Sequence, residues 1–370
     1  MMKEKDTYRI MIGGGGTGGH IYPAIAIANA WMAKYPSSEI LFVGAEGKME
    51  MQKVPEAGYK IIGLNIAGLQ RKLTAENLTF PFKVMGSLKK SWDLINDFKP
   101  DIVIGVGGYA SGPVLFVAQQ KGIPTLIQEQ NSYAGITNKL LAKKADAICV
   151  AYPGMDRFFP ADKIIYTGNP VRKDILSLEG KTDKAMAYFG LQKGKPVVLI
   201  LGGSLGAKTI NESVLQCMSK IEALGYQVLW QAGKFYIEEM ARAVKESGLQ
   251  HIHVHEFITH MDLAYGAADV VISRAGALSV SELSLVGKPV IFIPSPNVAE
   301  DHQTKNALAY ESQRAALMIA DHVAIGSLGR ALENLINDKD EVKLLSENIK
   351  KLAKPEAALD IVKALEKIMK

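Results

Sequence analysis

His20 ends the run Gly13-Gly14-Gly15-Gly16-Thr17-Gly18-Gly19-His20, which directly follows the apolar segment Tyr8-Arg9-Ile10-Met11-Ile12. An apolar strand, a glycine turn and a helix make a unit whose unpaired backbone N–H groups face an anion. An imidazole at the start of that helix is favoured in its neutral, proton-accepting form, which suits a general base acting on a hydroxyl. A lone histidine is ordinarily structural; its place behind the glycine turn favours catalysis. Gly13-x-Gly15-x-x-Gly18 also matches dinucleotide spacing, with Glu46 after the second strand where a ribose-binding acid would stand. So many glycines make that match nearly unavoidable, and a redox cofactor has no use for an imidazole there.

A second turn, Gly202-Gly203-Ser204-Leu205-Gly206-Ala207-Lys208-Thr209, follows the strand Pro196–Leu201. It approaches a Walker A sequence but carries Ala207 where the glycine before Lys-Thr should be, which disfavours ATP hydrolysis. Its glycines still let backbone approach a diphosphate, and Ser204 adds a hydroxyl donor. Ser273–Glu282 leaves another strand and opens another helix, and Glu282 is placed to accept the paired hydroxyls of a ribose. Asp301-His302-Gln303-Thr304-Lys305-Asn306 offers amides and donors for sugar hydroxyls, although Asn306 reads equally as a structural helix residue. Gln128-Glu129-Gln130-Asn131-Ser132 and Gly105–Gly112 lie at further strand ends, where ligands of open α/β sheets bind. Gly107, Gly108, Tyr109 and Ser111 are candidates there for an acceptor or diphosphate site. His251, His253 and His255 alternate along one strand face, but with no carboxylate or cysteine nearby a metal site is not expected.

The elements that must hold these residues alternate short β-branched runs with helical patterns, as in parallel sheets with crossover helices. Strands are expected at 9–12, 40–43, 60–64, 102–105, 125–128, 147–150 and 164–167, then at 197–201, 227–231, 252–255, 270–273, 290–293 and 316–319. The turn cluster Gly168-Asn169-Pro170-Val171-Arg172 sets a boundary between a domain at 1–168 and a domain at 169–354. Pro355 is expected to start a last helix, Glu356–Met369, that returns to the first domain, so that 355–370 joins it.

At 370 residues, 48% hydrophobic and 22% charged, the chain is an ordinary globular sequence long enough for two cores. A net charge of +5 says little about anionic partners, and no nucleic-acid partner is expected. Cys149 and Cys217 lie in apolar segments and read as buried thiols of a reducing compartment. The charged N-terminus lacks a signal-peptide core, and no apolar run reaches the roughly 20 residues that span a bilayer. The expectation is a cytoplasmic protein, peripheral on the inner face of the cell membrane. Arg71–Trp92 mixes Leu73, Leu78, Phe80, Phe82, Met85 and Trp92 with five basic residues, and reads equally as an anionic-lipid surface or as a core helix with a solvated face.

Taken in order, these motifs resemble the MurG-type glycosyltransferases of peptidoglycan synthesis across essentially the whole chain. The elements are Gly16–Ala24, Gly107–Pro113, Gln128–Asn131, Thr167–Arg172, Gly202–Ala207, Glu256–Ile258, Ser273–Glu282 and Asp301–Ala307. The resemblance implies the GT-B architecture, two Rossmann-like α/β domains with an interdomain cleft. It implies inverting transfer of N-acetylglucosamine from UDP-GlcNAc to the C4 hydroxyl of undecaprenyl-pyrophosphoryl-muramyl-pentapeptide, with His20 as catalytic base. It places Thr17, Gly18, Gly19, Asn131, Arg172, Ser204, Ile258, Ala277, Leu278, Ser279, Val280, Ser281, Glu282 and Gln303 at the donor site. Ile258 would meet uracil through its backbone, Glu282 the ribose and Gln303 the sugar. No metal or other cofactor is expected, since backbone dipoles would meet the developing charge. Ala134 stands where many relatives have proline, which implies a less rigid loop. Other readings are a related transferase with another lipid acceptor, an NAD-dependent oxidoreductase, or a non-catalytic lipid- or nucleotide-binding scaffold.

Overall fold

Strands buried on both faces must be covered by helices on both sides, and the apolar runs fold in that way. The computed structural model describes residues 7–66, 75–172 and 175–370. The chain divides into two compact units, Met1–Val171 with Pro355–Lys370, and Arg172–Lys354.

The sheet of the first unit comprises β1 (Arg9–Gly13), β2 (Glu39–Ala45), β3 (Lys60–Leu64), β4 (Ile102–Gly105), β5 (Thr125–Glu129), β6 (Ala147–Val150) and β7 (Ile164–Tyr166). These are all parallel, in the order β3-β2-β1-β4-β5-β6-β7. Its helices are α1 (Gly18–Lys34), α2 (Glu50–Glu56), α3 (Ala75–Phe98), α4 (Ser111–Gln120) and α5 (Ile136–Leu141). The second unit has β8 (Val197–Leu201), β9 (Gln227–Gln231), β10 (Ile252–His255), β11 (Val270–Ser273), β12 (Val290–Phe292) and β13 (Leu317–Met318). These too are parallel, in the order β10-β9-β8-β11-β12-β13. Its helices are α6 (Lys181–Phe189), α7 (Lys208–Ala223), α8 (Ile237–Ser247), α9 (Met261–Ala267), α10 (Ala277–Val286), α11 (His302–Glu311), α12 (Ala324–Asn337) and α13 (Lys339–Lys351).

Strand order reverses at the β1/β4 pair in one sheet and at the β8/β11 pair in the other. Crossovers leave in opposite directions there and open a crevice at the strand ends, where such sheets bind ligands. The strands end level, with Gly13 opposite Gly105 and Leu201 opposite Ser273. Each motif-bearing loop therefore has another beside it.

Alternation along the strands gives the first sheet two cores. Met11, Val43, Val103 and Ile127 face one side. Ile10, Ile12, Phe42 and Ile104 face the other, under Ile27 and Trp31 of α1. The last helix, α14 (Ala357–Ile368), completes this second core with Ile361, Val362 and Leu365. Glu366 fastens it, accepting from the Tyr35 hydroxyl at 2.8 Å and pairing with Lys34. Burial, helped by Glu366, pushes the Tyr35 hydroxyl up to about 12. Pro355 lies in the turn before the helix rather than in its first position. The Glu356 carbonyl accepts the first ladder bond, from Asp360, and so sets the start.

Cys149 and Cys217 are both unpaired with another cysteine and buried. Burial raises their thiols to about 12 and about 11, which keeps them protonated and unreactive. Among the described residues no helix is long and apolar enough to cross a membrane. Leu365 is wholly buried, so Leu365→Ala should cost about 2–5 kcal/mol in denaturant unfolding of the first unit.

Candidate active site

In the first unit the chain leaves β1 through the glycine turn and enters α1 at Gly18. Thr17, the residue before the helix, makes no side-chain cap, and no acid stands in the first turn. The positive end of the helix is thus uncompensated by its own side chains. His20 lies in this first turn. Its Nδ1 sits 3.0 Å from the Gly15 carbonyl oxygen and 3.2 Å from the Thr17 hydroxyl. A carbonyl can only accept, so in the neutral ring Nδ1 carries the hydrogen and Nε2 carries the lone pair. That is the tautomer a base requires. Three residues on, Pro23 brings no N–H, so the Gly19 carbonyl lacks its ladder donor.

The β4 turn closes on the β1 turn. Gly15 N–H donates to the Gly107 carbonyl at 3.3 Å. A Cβ at Gly107 would stand 2.9 Å from His20 Nε2, so bare backbone borders the imidazole edge. Gly108, at φ +82°, approaches closer still: a Cβ there would lie 2.2 Å from the Gly15 carbonyl oxygen. The Ser111 hydroxyl is buried and donates to the Gly108 carbonyl at 2.8 Å, so it braces the turn. Tyr109 is exposed at the tip.

The β5 end is organised by Glu129, a buried carboxylate whose role the sequence did not reveal. One oxygen accepts the Asn131 N–H at 3.1 Å; the other accepts Gly135 N–H at 3.0 Å and the Asn138 amide at 2.8 Å. Burial pushes its carboxyl up, against the pull of those hydrogen bonds. This clamp spans Ala134, which is itself fully buried. Gln130 turns inward, donating to the Val106 carbonyl at 2.8 Å.

In the second unit, α7 and α10 also begin without a side-chain cap or an acid in the first turn, behind Ala207 and Gly276. Ser204 is exposed on the β8 turn, and its carbonyl accepts from Lys234 N–H at 3.0 Å. That turn packs on the one after β9: a Cβ at Gly233 would come within 2.0 Å of the Gly206 nitrogen. Gly233 escaped the sequence analysis because nothing local marks a close approach between distant turns. Asn211 hydrogen-bonds both Trp230 Nε1, at 3.1 Å, and the Ala232 carbonyl, at 2.9 Å, and so ties α7 to the β9 end.

Glu282 lies 3.5 Å from Arg172 Nε through one oxygen and accepts the buried Tyr265 hydroxyl at 3.0 Å through the other. Ile258 N–H donates to Gln231 Oε1 at 2.9 Å, so backbone recognition by Ile258 falls to its carbonyl. Gln303 Oε1 accepts Ser295 N–H at 2.9 Å, which leaves its amide hydrogens as the outward chemistry. Within Ala277–Glu282, helical spacing opens only one face. Leu278, Ser279, Ser281 and Glu282 are half-buried, whereas Ala277 and Val280 point into the core. Val280 N–H is also taken, by the Gly276 carbonyl at 2.9 Å. Val280 is therefore a packing residue and offers a ligand neither side chain nor N–H. Asn306 is buried and donates to the Ala275 carbonyl at 3.3 Å, a structural bond across the same turn.

Glu46, the candidate ribose acid of a dinucleotide site, pairs instead with Lys90 at 3.2 Å. Among the described residues no cluster of three His, Cys, Asp or Glu side chains is placed to hold a metal ion. His253 and His255 are half-buried; desolvation holds both imidazoles below the usual range, with His255 and His251 adding to the effect at His253. Of the segment Arg71–Trp92, residues 71–74 lie outside the described residues. Farther along α3, Phe82, Met85 and Trp92 are exposed, and Lys121 rests 3.7 Å over the Trp92 ring.

Residues 10–150 match the glycosyltransferase family 28 N-terminal domain and residues 197–364 its C-terminal domain. Two curated relatives carry the name UDP-N-acetylglucosamine--N-acetylmuramyl-(pentapeptide) pyrophosphoryl-undecaprenol N-acetylglucosamine transferase. The one from Cytophaga hutchinsonii is 56% identical, over 100% of this chain and 99% of its own. The one from Flavobacterium psychrophilum is 55% identical, over 98% of each. The crystal structure of Acinetobacter baumannii MurG superposes with a TM-score of 0.80 at 30% identity, covering 97% of this chain and 99% of that one.

The interlocked turns make a structural prediction. Gly108→Ala combines a left-handed backbone with a clash against backbone, and should destabilise the first unit by at least about 1–2 kcal/mol. Denaturant titration measures this, and an unchanged midpoint would contradict the close approach.

Proposed function

The chain belongs to glycosyltransferase family 28, and on that premise we propose that it transfers N-acetylglucosamine from UDP-GlcNAc to the C4 hydroxyl of undecaprenyl-pyrophosphoryl-muramyl-pentapeptide. Its end-to-end likeness to transferases named for that reaction carries the substrate assignment. The contact of His20 Nδ1 with the Gly15 carbonyl, at 3.0 Å, is the observation that carries the mechanism.

The reaction is a single displacement at the anomeric carbon. The acceptor oxygen forms its bond to that carbon as the bond to the diphosphate breaks, with inversion. His20 Nε2 takes the hydroxyl proton, while Gly15 and Thr17 hold the ring at Nδ1. The turn bearing Gly107, Gly108, Tyr109 and Ser111 borders the imidazole and suits an acceptor with its own diphosphate.

The second unit holds the donor. The uncapped starts of α7 and α10, with Ser204 and Arg172, receive the negative charge that develops on the leaving UDP. Glu282, oriented by Tyr265, accepts from the ribose hydroxyls. The Ile258 carbonyl accepts the imide N–H that distinguishes uracil, and the Gln303 amide donates to sugar oxygens. Thr17, Gly18, Gly19 and Asn131 are assigned to the donor by resemblance, as are Ser279 and Ser281. With charge met by backbone dipoles and an arginine, no metal or other cofactor is needed, and transfer should survive a chelator.

Association with the inner face of the cell membrane is part of the same proposal. It rests on exposed Phe82 and Met85 of α3, Phe116 of α4, and Ile136 and Leu140 of α5, with Lys83, Lys89 and Lys90 on α3 and Lys139 on α5.

Two measurements test these assignments. His20→Ala should lower turnover about 10²–10⁴-fold while leaving UDP binding intact, and near-normal turnover would remove His20 from its role. The double variant Phe82→Ser, Met85→Ser should sediment less with phosphatidylglycerol vesicles than the parent does. Equal sedimentation would sink the lipid surface.

A further inference from the structure

The geometry points to Glu50 as a positioning residue for His20, acting through the first glycine turn; this rests on the reading of His20 as the base. Glu50 opens α2 and is 1% exposed. Its two oxygens serve two different segments. Oε1 accepts the N–H of Ala45, at the end of β2, at 2.9 Å. Oε2 accepts the N–H of Gly16, in the turn, at 2.9 Å. One carboxylate thus ties a rigid strand end to a loop that has no side chains with which to fix itself.

The space around the turn is shaped to this group. A Cβ on Gly15 would lie 2.2 Å from Glu50 Oε1, and one on Gly44 would lie 2.6 Å from Glu50 Cγ. Gly15, held against the carboxylate, turns its carbonyl to His20 Nδ1. The contacts run from strand end to carboxylate, to Gly16, to Gly15, to imidazole. In a phosphate-binding turn the Gly16 N–H would face the ligand; here an internal anion takes it. The turn therefore holds a base in one orientation rather than a nucleotide phosphate at that N–H.

A carboxylate is the side chain that meets both donors. Glutamine has one acceptor oxygen, and its NH₂ would confront the second N–H, donor against donor. Bonds from backbone N–H to a charged carboxylate are also about twice as strong as neutral ones. Displacement of a catalytic group by about 1 Å can cost on the order of 10²-fold in rate.

The experiment uses the full chain with UDP-GlcNAc and a muramyl-lipid acceptor. Glu50→Gln should lower kcat by about 10²-fold with the KM for UDP-GlcNAc unchanged. In a His20→Ala background the same change should have no further effect, because the residue acts only through the imidazole. ¹⁵N-histidine spectra should show the Nδ1–H tautomer of His20 in the parent and its loss in Glu50→Gln. In the parent, the Gly16 amide should exchange slowly although Gly16 is exposed. A normal kcat in Glu50→Gln, an equal loss in both backgrounds, or a fast-exchanging Gly16 amide would each overturn the assignment. Should Glu50→Gln not fold, the parent's amide exchange decides. A parent that transfers no sugar refutes the proposed function instead, while tautomer and exchange still report on the clamp.

Discussion

Helix starts that carry no side-chain cap are the constraint around which both units are arranged. The helices that begin at Gly18, Lys208 and Ala277 have no side-chain cap and no acid in their first turns. A helix in isolation is weakened by that omission. Here each such start lies beside a point where strand order reverses, and the sheet fixes it in place. The stabilisation forgone at the caps leaves partial positive charge directed at whatever anion enters.

Glycine makes these starts approachable, and approach creates a second demand. A turn without side chains has nothing of its own to hold it. The first unit answers with buried carboxylates drawn from other segments: Glu50 grips the β1 turn, and Glu129 grips the loop after β5. The second unit answers with backbone, setting the β8 turn against Gly233, and with the Asn211 amide. In each case the residue at the turn keeps some exposure while the group that fixes the turn is buried.

That division explains what was legible. The strands of the described residues, the two-unit plan and the return of the last helix follow from apolar periodicity and turn residues, which are local signals. His20, Ser204 and Glu282 stood out because each sits at a fixed offset from a glycine turn. Glu50 and Gly233 did not. Glu50 stands between Met49 and Met51 with nothing local to mark it, and only the packing around α2 buries it. Val280 shows the reverse, since a motif reads as a continuous string while a helix turns some of its residues into the core.

The sequence by itself determined which segments become strands, where backbone must come close to something, and which chemistry could be done there, because those properties depend on neighbours a few residues away. Only the tertiary structure decided which turns stand side by side, which nitrogen of His20 carries its proton, and which carboxylates hold the loops. Those depend on strand order and on contacts between residues tens of positions apart, such as Gly16 with Glu50 and Gly15 with Gly107, for which a one-dimensional pattern carries no mark.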